Sequence, residues 1–167
     1  MTLDSYGMSP KVTDLPAPSP GPKQVLVRVR ATSVNPIDWK QASGKARPLL
    51  GAKFPHFIPG YDLAGEIEAL GPGVTGFTVG QRVHTRLSGT RGGASAELVV
   101  AGLDVLQPMP EGMDFAQAAG LPLAGMTALQ GLRDACRLPM TGATQRVLIV
   151  GASGGVGHLA VQLAHTA

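Results

Sequence analysis

The stretch Gly151-Ala152-Ser153-Gly154-Gly155-Val156-Gly157 combines residue types and spacing suited to holding a phosphorylated ligand. It follows the apolar run Val147-Leu148-Ile149-Val150 and precedes Leu159, Ala160, Leu163 and Ala164, which share one helical face with Val156. The order predicts a buried strand, a glycine turn and a helix start. The first N–H groups of such a helix, at its positive dipole end, attract a diphosphate if no side chain blocks the approach. Gly154 supplies that clearance, and Gly157, with no Cβ, lets the helix pack closely on the strand. The fit to Gly-x-Gly-x-x-Gly is imperfect, because Ala152 stands in the first glycine position and needs a negative φ there. The strand before and the helix after still point to a dinucleotide, with Ala152, Ser153, Gly154, Gly155, Val156 and Gly157 as contacts. The competing reading is a strand-to-helix turn used only for packing. No Gly-Lys-Ser/Thr ending follows, so a Walker loop does not fit.

Other reactive residues point away from metals. His56, His84, His158 and His165 show no ligand spacing, and Cys136 is the single cysteine, which excludes a Cys-x-x-Cys site and any intrachain disulfide. A reducing compartment follows, and Cys136 has no activator near it in sequence.

Two architectures must position these groups. Residues 1 to about 110 read as short strands between turns: Gln24–Ala31 sets Val25, Val27, Val29 and Ala31 on one face and Arg28 and Arg30 on the other. Leu63–Ala69 repeats the alternation, with Glu66 and Glu68 opposite Leu63, Gly65 and Ile67. Gly80–Val83 and Ala96–Val100 read as further strands, and the set suggests an all-β barrel or sandwich. From Phe115 the spacing becomes helical, in Phe115, Ala118 and Ala119 and then in Met126, Leu129, Gln130 and Arg133, until Pro139 and Gly142 end it. Gln145–Val150 reads as a parallel strand buried on both faces. One strand makes no parallel sheet, and ten residues follow Gly157, so a chain truncated after its first strand-helix unit is expected. The position that tells NAD from NADP, about 20 residues past the turn, falls outside it.

Composition narrows the class. With 44% apolar residues, 15% charged residues and a formal charge of +3, the chain reads as globular rather than disordered. Its densest basic stretch, Lys40, Lys45, Arg47 and Lys53, lacks interleaved base-stacking aromatics, so no nucleic-acid partner is expected. No apolar run is long enough to span a bilayer, and the first residues match neither a signal nor a transit peptide. A cytoplasmic protein without membrane partners is the expectation.

Five motifs then occur in order: Ser33-Val34-Asn35-Pro36-Ile37-Asp38-Trp39-Lys40, Pro59-Gly60-Tyr61-Asp62-Leu63-Ala64-Gly65-Glu66, Val79-Gly80-Gln81-Arg82-Val83, Leu121-Pro122-Leu123-Ala124-Gly125-Met126-Thr127-Ala128, and Ala152 to Gly157. Together they resemble the zinc-independent quinone oxidoreductase and enone reductase branch of the medium-chain dehydrogenase/reductase superfamily. The resemblance implies a mixed β and α/β fold. A GroES-like β-barrel catalytic domain would occupy residues 1–112, a helical connector 113–144, and the incomplete start of a Rossmann NAD(P)-binding domain 145–167. It also implies a short remnant of the usual first strand at Thr2-Leu3-Asp4. The implied cofactor is NADPH, with NADH not excluded, bound in a cleft between domains. The implied substrates are small quinones or α,β-unsaturated carbonyls, and the whole protein is a possible homo-oligomer.

The resemblance also supplies candidate site residues. Zinc-dependent relatives carry Cys, His and Cys at the positions of Asn35, Tyr61 and Leu123, so no metal ligand set is expected and a zinc-type alcohol dehydrogenase is disfavoured. Asn35 and Asp38 match cleft-floor residues that could orient nicotinamide or substrate, against the alternative of turn capping before Pro36. Lys40 could donate to a carbonyl oxygen, against a solvated surface lysine. Tyr61 could donate a proton, against a buried tyrosine with a structural partner. Thr127 matches the residue beside the nicotinamide, against a hydroxyl bonding the helix backbone. Trp39, Phe54 and Phe57 line a pocket or pack a core. Two whole-chain readings stay open: a hydride-transferring enzyme whose fragment is inactive alone, and a non-catalytic GroES-like module that binds a partner.

Overall fold

The computed structural model describes residues 1–47, 49–88, 92–138 and 146–166, which fall into two compact units, Met1–Gly120 and Leu121–Ala167. The first unit holds β1 (Gln24–Thr32), α1 (Pro36–Ala42), β2 (Asp62–Leu70), β3 (Arg82–Arg86), β4 (Leu98–Gly102), β5 (Gln107–Pro108) and α2 (Phe115–Ala119). Its strands form one antiparallel sheet in the order β4-β1-β2-β3-β5. The expected alternation breaks at two places: Leu26 is buried along with Val25 and Val27, and a register shift between Val29 and Ala31 turns Ala31 away from the face of Val25 and Val27 to that of Ala64. On one face Val25, Val27, Leu63, Ile67, Val83, Val99 and Ala101 make the core. On the other, Arg28 meets Glu68 and Arg30 meets Glu66, each at 2.7 Å, across the β1–β2 pair in partly exposed ion pairs.

That second face is not polar throughout. Toward its other end Ala118 and Ala119 of α2 lie on Ala64, with Ala31, Met109, Met113 and Phe115 around them. Small side chains on both partners let the helix sit close to the sheet. The Asp114 carboxylate caps α2 by accepting the Gln117 N–H at 2.7 Å, while the Gln117 side chain accepts the Asp114 N–H at 3.2 Å. Gly65 is required where β1 crosses: a Cβ there would lie 2.9 Å from Val27 Cγ1 and 3.0 Å from the Arg28 carbonyl carbon.

The second unit contains α3 (Pro122–Gln130), a π-helical turn over Gly131–Ala135, and α4 (Gly155–Thr166). Ala128, Leu132 and Ala160 form its core, with Leu159, Leu163 and Ile149 packed against them. The two helices expected from spacing are therefore present. Pro139, Gly142 and Gln145 lie outside the described residues. Residues 146–150, expected as a parallel strand buried on both faces, have no strand pairing, and Leu148 and Val150 are 89% and 88% exposed. The reason is physical: a strand is defined by hydrogen-bonded neighbours, and the described part of this unit offers none. Among the described residues no helix is long and apolar enough to cross a membrane.

Candidate functional site

The first constellation is built where β1 gives way to α1. Asn35 is the N-cap, with extended backbone angles of −114° and 155°, and Pro36 opens the helix where no N–H is needed. Asp38, one turn in, accepts the Asn35 backbone N–H on Oδ2 at 2.7 Å. The Asn35 side chain closes a capping box with the Asp38 backbone N–H, and its Nδ2 donates to Ser33 Oγ at 3.0 Å and to Asp62 Oδ2 at 2.9 Å. Ser33 Oγ donates to the same Asp62 oxygen at 2.9 Å, and the Asp62 carbonyl accepts from Thr32 Oγ1 at 2.7 Å. Asn35, Asp38 and Asp62 are all buried.

Burial pushes the Asp38 carboxyl above its ordinary value, and the nearby Asp62 adds to the shift while the Asn35 N–H opposes it. Its Oδ1 is buried without a hydrogen-bond partner. Burial and the Asp62 charge both disfavour the ionised form of Asp38.

Tyr61 immediately precedes β2 and is buried, its hydroxyl donating to Gln41 Oε1 at 3.0 Å. Gln41, on α1, also donates to the Gly51 carbonyl at 3.3 Å. Burial raises the phenol's pKa, with Asp38 adding to the rise, while the Gln41 bond and the Arg86 charge work the other way. The Arg86 guanidinium stands 5.5 Å from the ring centroid. Of the two readings of Tyr61, the structure shows the partner of the second: a buried phenol tied to a buried amide, bracing α1 against the start of β2.

Lys40 lies apart from these buried groups on the exposed side of α1, its ammonium 5.7 Å from the Trp39 ring centroid, with Lys45 at 5.1 Å from the same ring. Trp39 is half exposed, which sets it apart from Phe57, a core residue. Phe54 packs edge-on against Tyr6 and Phe57.

In the second unit the Thr127 hydroxyl donates to the Leu123 carbonyl one turn back at 2.7 Å, from an exposed position on α3. The glycine turn lies on the surface ahead of α4. Gly151 takes the left-handed conformation at φ +75°, whereas Ala152 does not, so the first left-handed residue of the turn is one place earlier than the motif alignment implies. Gly154 N–H closes the turn on the Gly151 carbonyl at 3.0 Å. At Gly157 a Cβ would fall 2.8 Å from Ala152 Cα and from the Gly151 carbonyl carbon, so the turn itself demands glycine there. Gly154 differs: its Cβ would meet only the Gly151 oxygen, at 3.4 Å, and that of Gly155 would meet nothing within 4 Å. Packing does not explain these two glycines, and the bare backbone they leave at a helix start suits a diphosphate.

Sequence reasoning missed Asp62 and Gln41. Alternation sets Asp62 on the face of Glu66 and Glu68, and only the tertiary fold buries that end; a lone glutamine on a short helix carries no signal at all. Among the described residues no group of three or more His, Cys, Asp or Glu could hold a metal.

Residues 21–111 match the alcohol dehydrogenase GroES-like domain. The chain is 44% identical over 155 residues to the chloroplast envelope quinone oxidoreductase homolog of Arabidopsis thaliana, covering 92% of this chain and 47% of that protein. An alcohol dehydrogenase superfamily protein from Novosphingobium aromaticivorans superposes with a TM-score of 0.89 at 34% identity, over 98% of this chain and 49% of that one. A mycobacterial protein solved in complex with NADPH gives 0.77 at 29% identity, over 99% of this chain and 50% of that one. The chain thus spans about half the length of these relatives.

Proposed function

This chain belongs to the alcohol dehydrogenase GroES-like domain family, within the quinone oxidoreductase branch of the medium-chain dehydrogenase/reductase superfamily, and from that premise we propose that the whole protein reduces quinones or α,β-unsaturated carbonyls with NADPH and without zinc. The observation that carries the nucleotide half is the glycine turn, where Gly154 and Gly155 leave backbone bare for no packing reason. Ala152 to Gly157 would hold the diphosphate, and Thr127 would stand near the nicotinamide. The NADPH in the mycobacterial relative supports that nucleotide, with NADH kept as the alternative by an NAD-dependent alcohol dehydrogenase of 31% identity and TM-score 0.83.

The zinc-free half rests on residue chemistry. Asn35, Tyr61 and Leu123 fill the positions of zinc ligands in metal-dependent relatives; an amide, a hydrogen-bonded phenol and an alkyl chain are poor zinc donors. Bound NADPH supplies the hydride, and one further proton converts the quinone to hydroquinone. The chain's own groups then stabilise charge on the substrate oxygen and hold protons. Lys40 is the exposed donor suited to the developing oxyanion, Asp38 is a buried carboxyl whose ionised form burial disfavours, and Tyr61 fixes α1 in place through Gln41. Cytoplasmic residence belongs to the same proposal and rests on the single cysteine.

Lys40→Met in the whole protein tests the assignment: kcat with a quinone should fall at least tenfold while the dissociation constant for NADPH stays within threefold. Unchanged kcat removes Lys40 from the reaction.

A further inference from the structure

From Trp39 to Lys53 the surface of the first unit carries charge that nothing neutralises. No Asp or Glu occurs between Trp39 and Tyr61, a stretch that holds Lys40, Lys45, Arg47 and Lys53. All four are exposed, and among the described residues none of them pairs with an acid. Arg28 and Arg30 differ, since Glu68 and Glu66 answer them across the sheet.

Two large apolar side chains stand among these cations. Trp39 is 50% exposed and Leu49 85%. The Lys40 and Lys45 ammonium groups lie 5.7 and 5.1 Å from the centroid of the Trp39 ring. The segment is folded rather than loose: the Ala46 N–H donates to the Lys40 carbonyl at 3.1 Å, and those of Leu49 and Leu50 donate to the Ala46 carbonyl at 3.0 and 2.8 Å. Gln41 ties the Gly51 carbonyl to α1, and the Tyr6 hydroxyl accepts the Ala52 N–H at 2.9 Å while its ring lies 4.6 Å from the Arg47 guanidinium. The fold therefore holds Trp39 and Leu49 at the surface beside unpaired cations.

That combination matches a lipid–water boundary. An indole settles at headgroup level, a leucine finds hydrocarbon just beneath, and Lys and Arg face anionic headgroups. A nucleic acid would answer the cations but offers Leu49 no hydrocarbon. A substrate pocket at Trp39 leaves Lys45, Lys53 and Leu49 without use.

We propose that the segment from Trp39 to Lys53 is a docking surface for an anionic membrane leaflet, bound from the aqueous side. The expectation of no membrane partner rested on bilayer-spanning length, and a surface contact needs none. The proposal goes beyond the quinone reaction and does not depend on it.

The experiment sediments the whole protein with phosphatidylcholine vesicles, with and without phosphatidylserine. Phosphatidylserine should raise binding at least about tenfold, and salt should reverse the gain. Each cation near such a surface is worth roughly fivefold, so the Lys45→Gln/Lys53→Gln double variant should lose at least about tenfold. Leu49→Ser, at an exposed position, should lose about threefold or more at constant charge. Lipid brominated on its acyl chains should quench tryptophan emission in wild type, and Trp39→Phe should abolish that component. The proposal is overturned if phosphatidylserine gives no gain, if both the double variant and Leu49→Ser bind vesicles like wild type, or if brominated lipid leaves Trp39 unquenched. It is also overturned if a single-stranded oligonucleotide binds in preference to vesicles with an affinity that Leu49→Ser leaves unchanged, which would assign a nucleic acid. Vesicle binding needs no turnover, so a wild type that docks but reduces no quinone refutes the proposed reaction and supports this surface.

Discussion

Substituting Gly154 and Gly157 separately with alanine tells a nucleotide turn from a packing turn. At Gly157 the new methyl would lie 2.8 Å from Ala152 Cα, with further clashes against the Gly151 carbonyl, all of it backbone that has no rotamer to move. Overpacking of that kind costs roughly 1–3 kcal/mol, and the turn must shift to relieve it. At Gly154 the methyl meets only the Gly151 oxygen at 3.4 Å, in a conformation outside the left-handed region. Alanine just before the helix loses a few tenths of a kcal/mol as a cap, a cost offset by up to about 1 kcal/mol from a less flexible unfolded chain. Gly154→Ala should therefore leave stability within about 0.5 kcal/mol. Yet its methyl occupies the approach of the diphosphate, so NADPH affinity should drop at least tenfold, about 1.4 kcal/mol. Urea unfolding and fluorescence titration of NADPH on the whole protein read the two effects. Gly157→Ala should lose both stability and binding, and Gly154→Ala binding alone. A Gly154→Ala protein that binds NADPH like wild type refutes a diphosphate at this turn.

Three more outcomes follow from the first unit. Asp114→Ala removes the cap of α2 and should cost about 1 kcal/mol in urea unfolding, with the Ala118–Ala119 contact to Ala64 loosened. Gly65→Ala drives a methyl into β1 and should destabilise by at least roughly 1–3 kcal/mol; a neutral result would mean that β1 and β2 can separate at no cost. Asp38 has a folded pKa raised above its ordinary 3.8 by burial. Between the unfolded and folded values the native state holds a proton that the unfolded chain has released, so stability falls as pH rises through that window and is level above it. Asp38→Asn keeps an oxygen for the Asn35 N–H and should flatten the decline in unfolding measured from about pH 4 to about 7; an unaltered slope would assign it to another group.

Much of the frame was legible because it obeys a period. The β1 and β2 patterns put Arg28 and Arg30 on one face and Glu66 and Glu68 on one face before any coordinate is known, and the antiparallel pairing of the two strands then joins them as ion pairs. The helical spacing from Phe115 to Arg133 likewise survives as α2, α3 and the π-helical turn. Residues 146–150 did not form a strand, because an apolar run specifies only a wish for neighbours. β5 is two residues long, too short for any pattern. The site was half legible: Asn35 and Asp38 come together at the head of α1, but Tyr61 is oriented by Gln41 and Asn35 by Asp62, partners distant in sequence that no spacing reveals.

Quinone-dependent oxidation of NADPH by the whole protein, assayed with metal content determined on the same sample before and after chelation, tests the central claim most directly. The account predicts hydroquinone and NADP in equal amounts at a rate unchanged by chelation, with no stoichiometric zinc. Activity that chelation abolishes and zinc restores, or the absence of turnover with either NADPH or NADH, would contradict it.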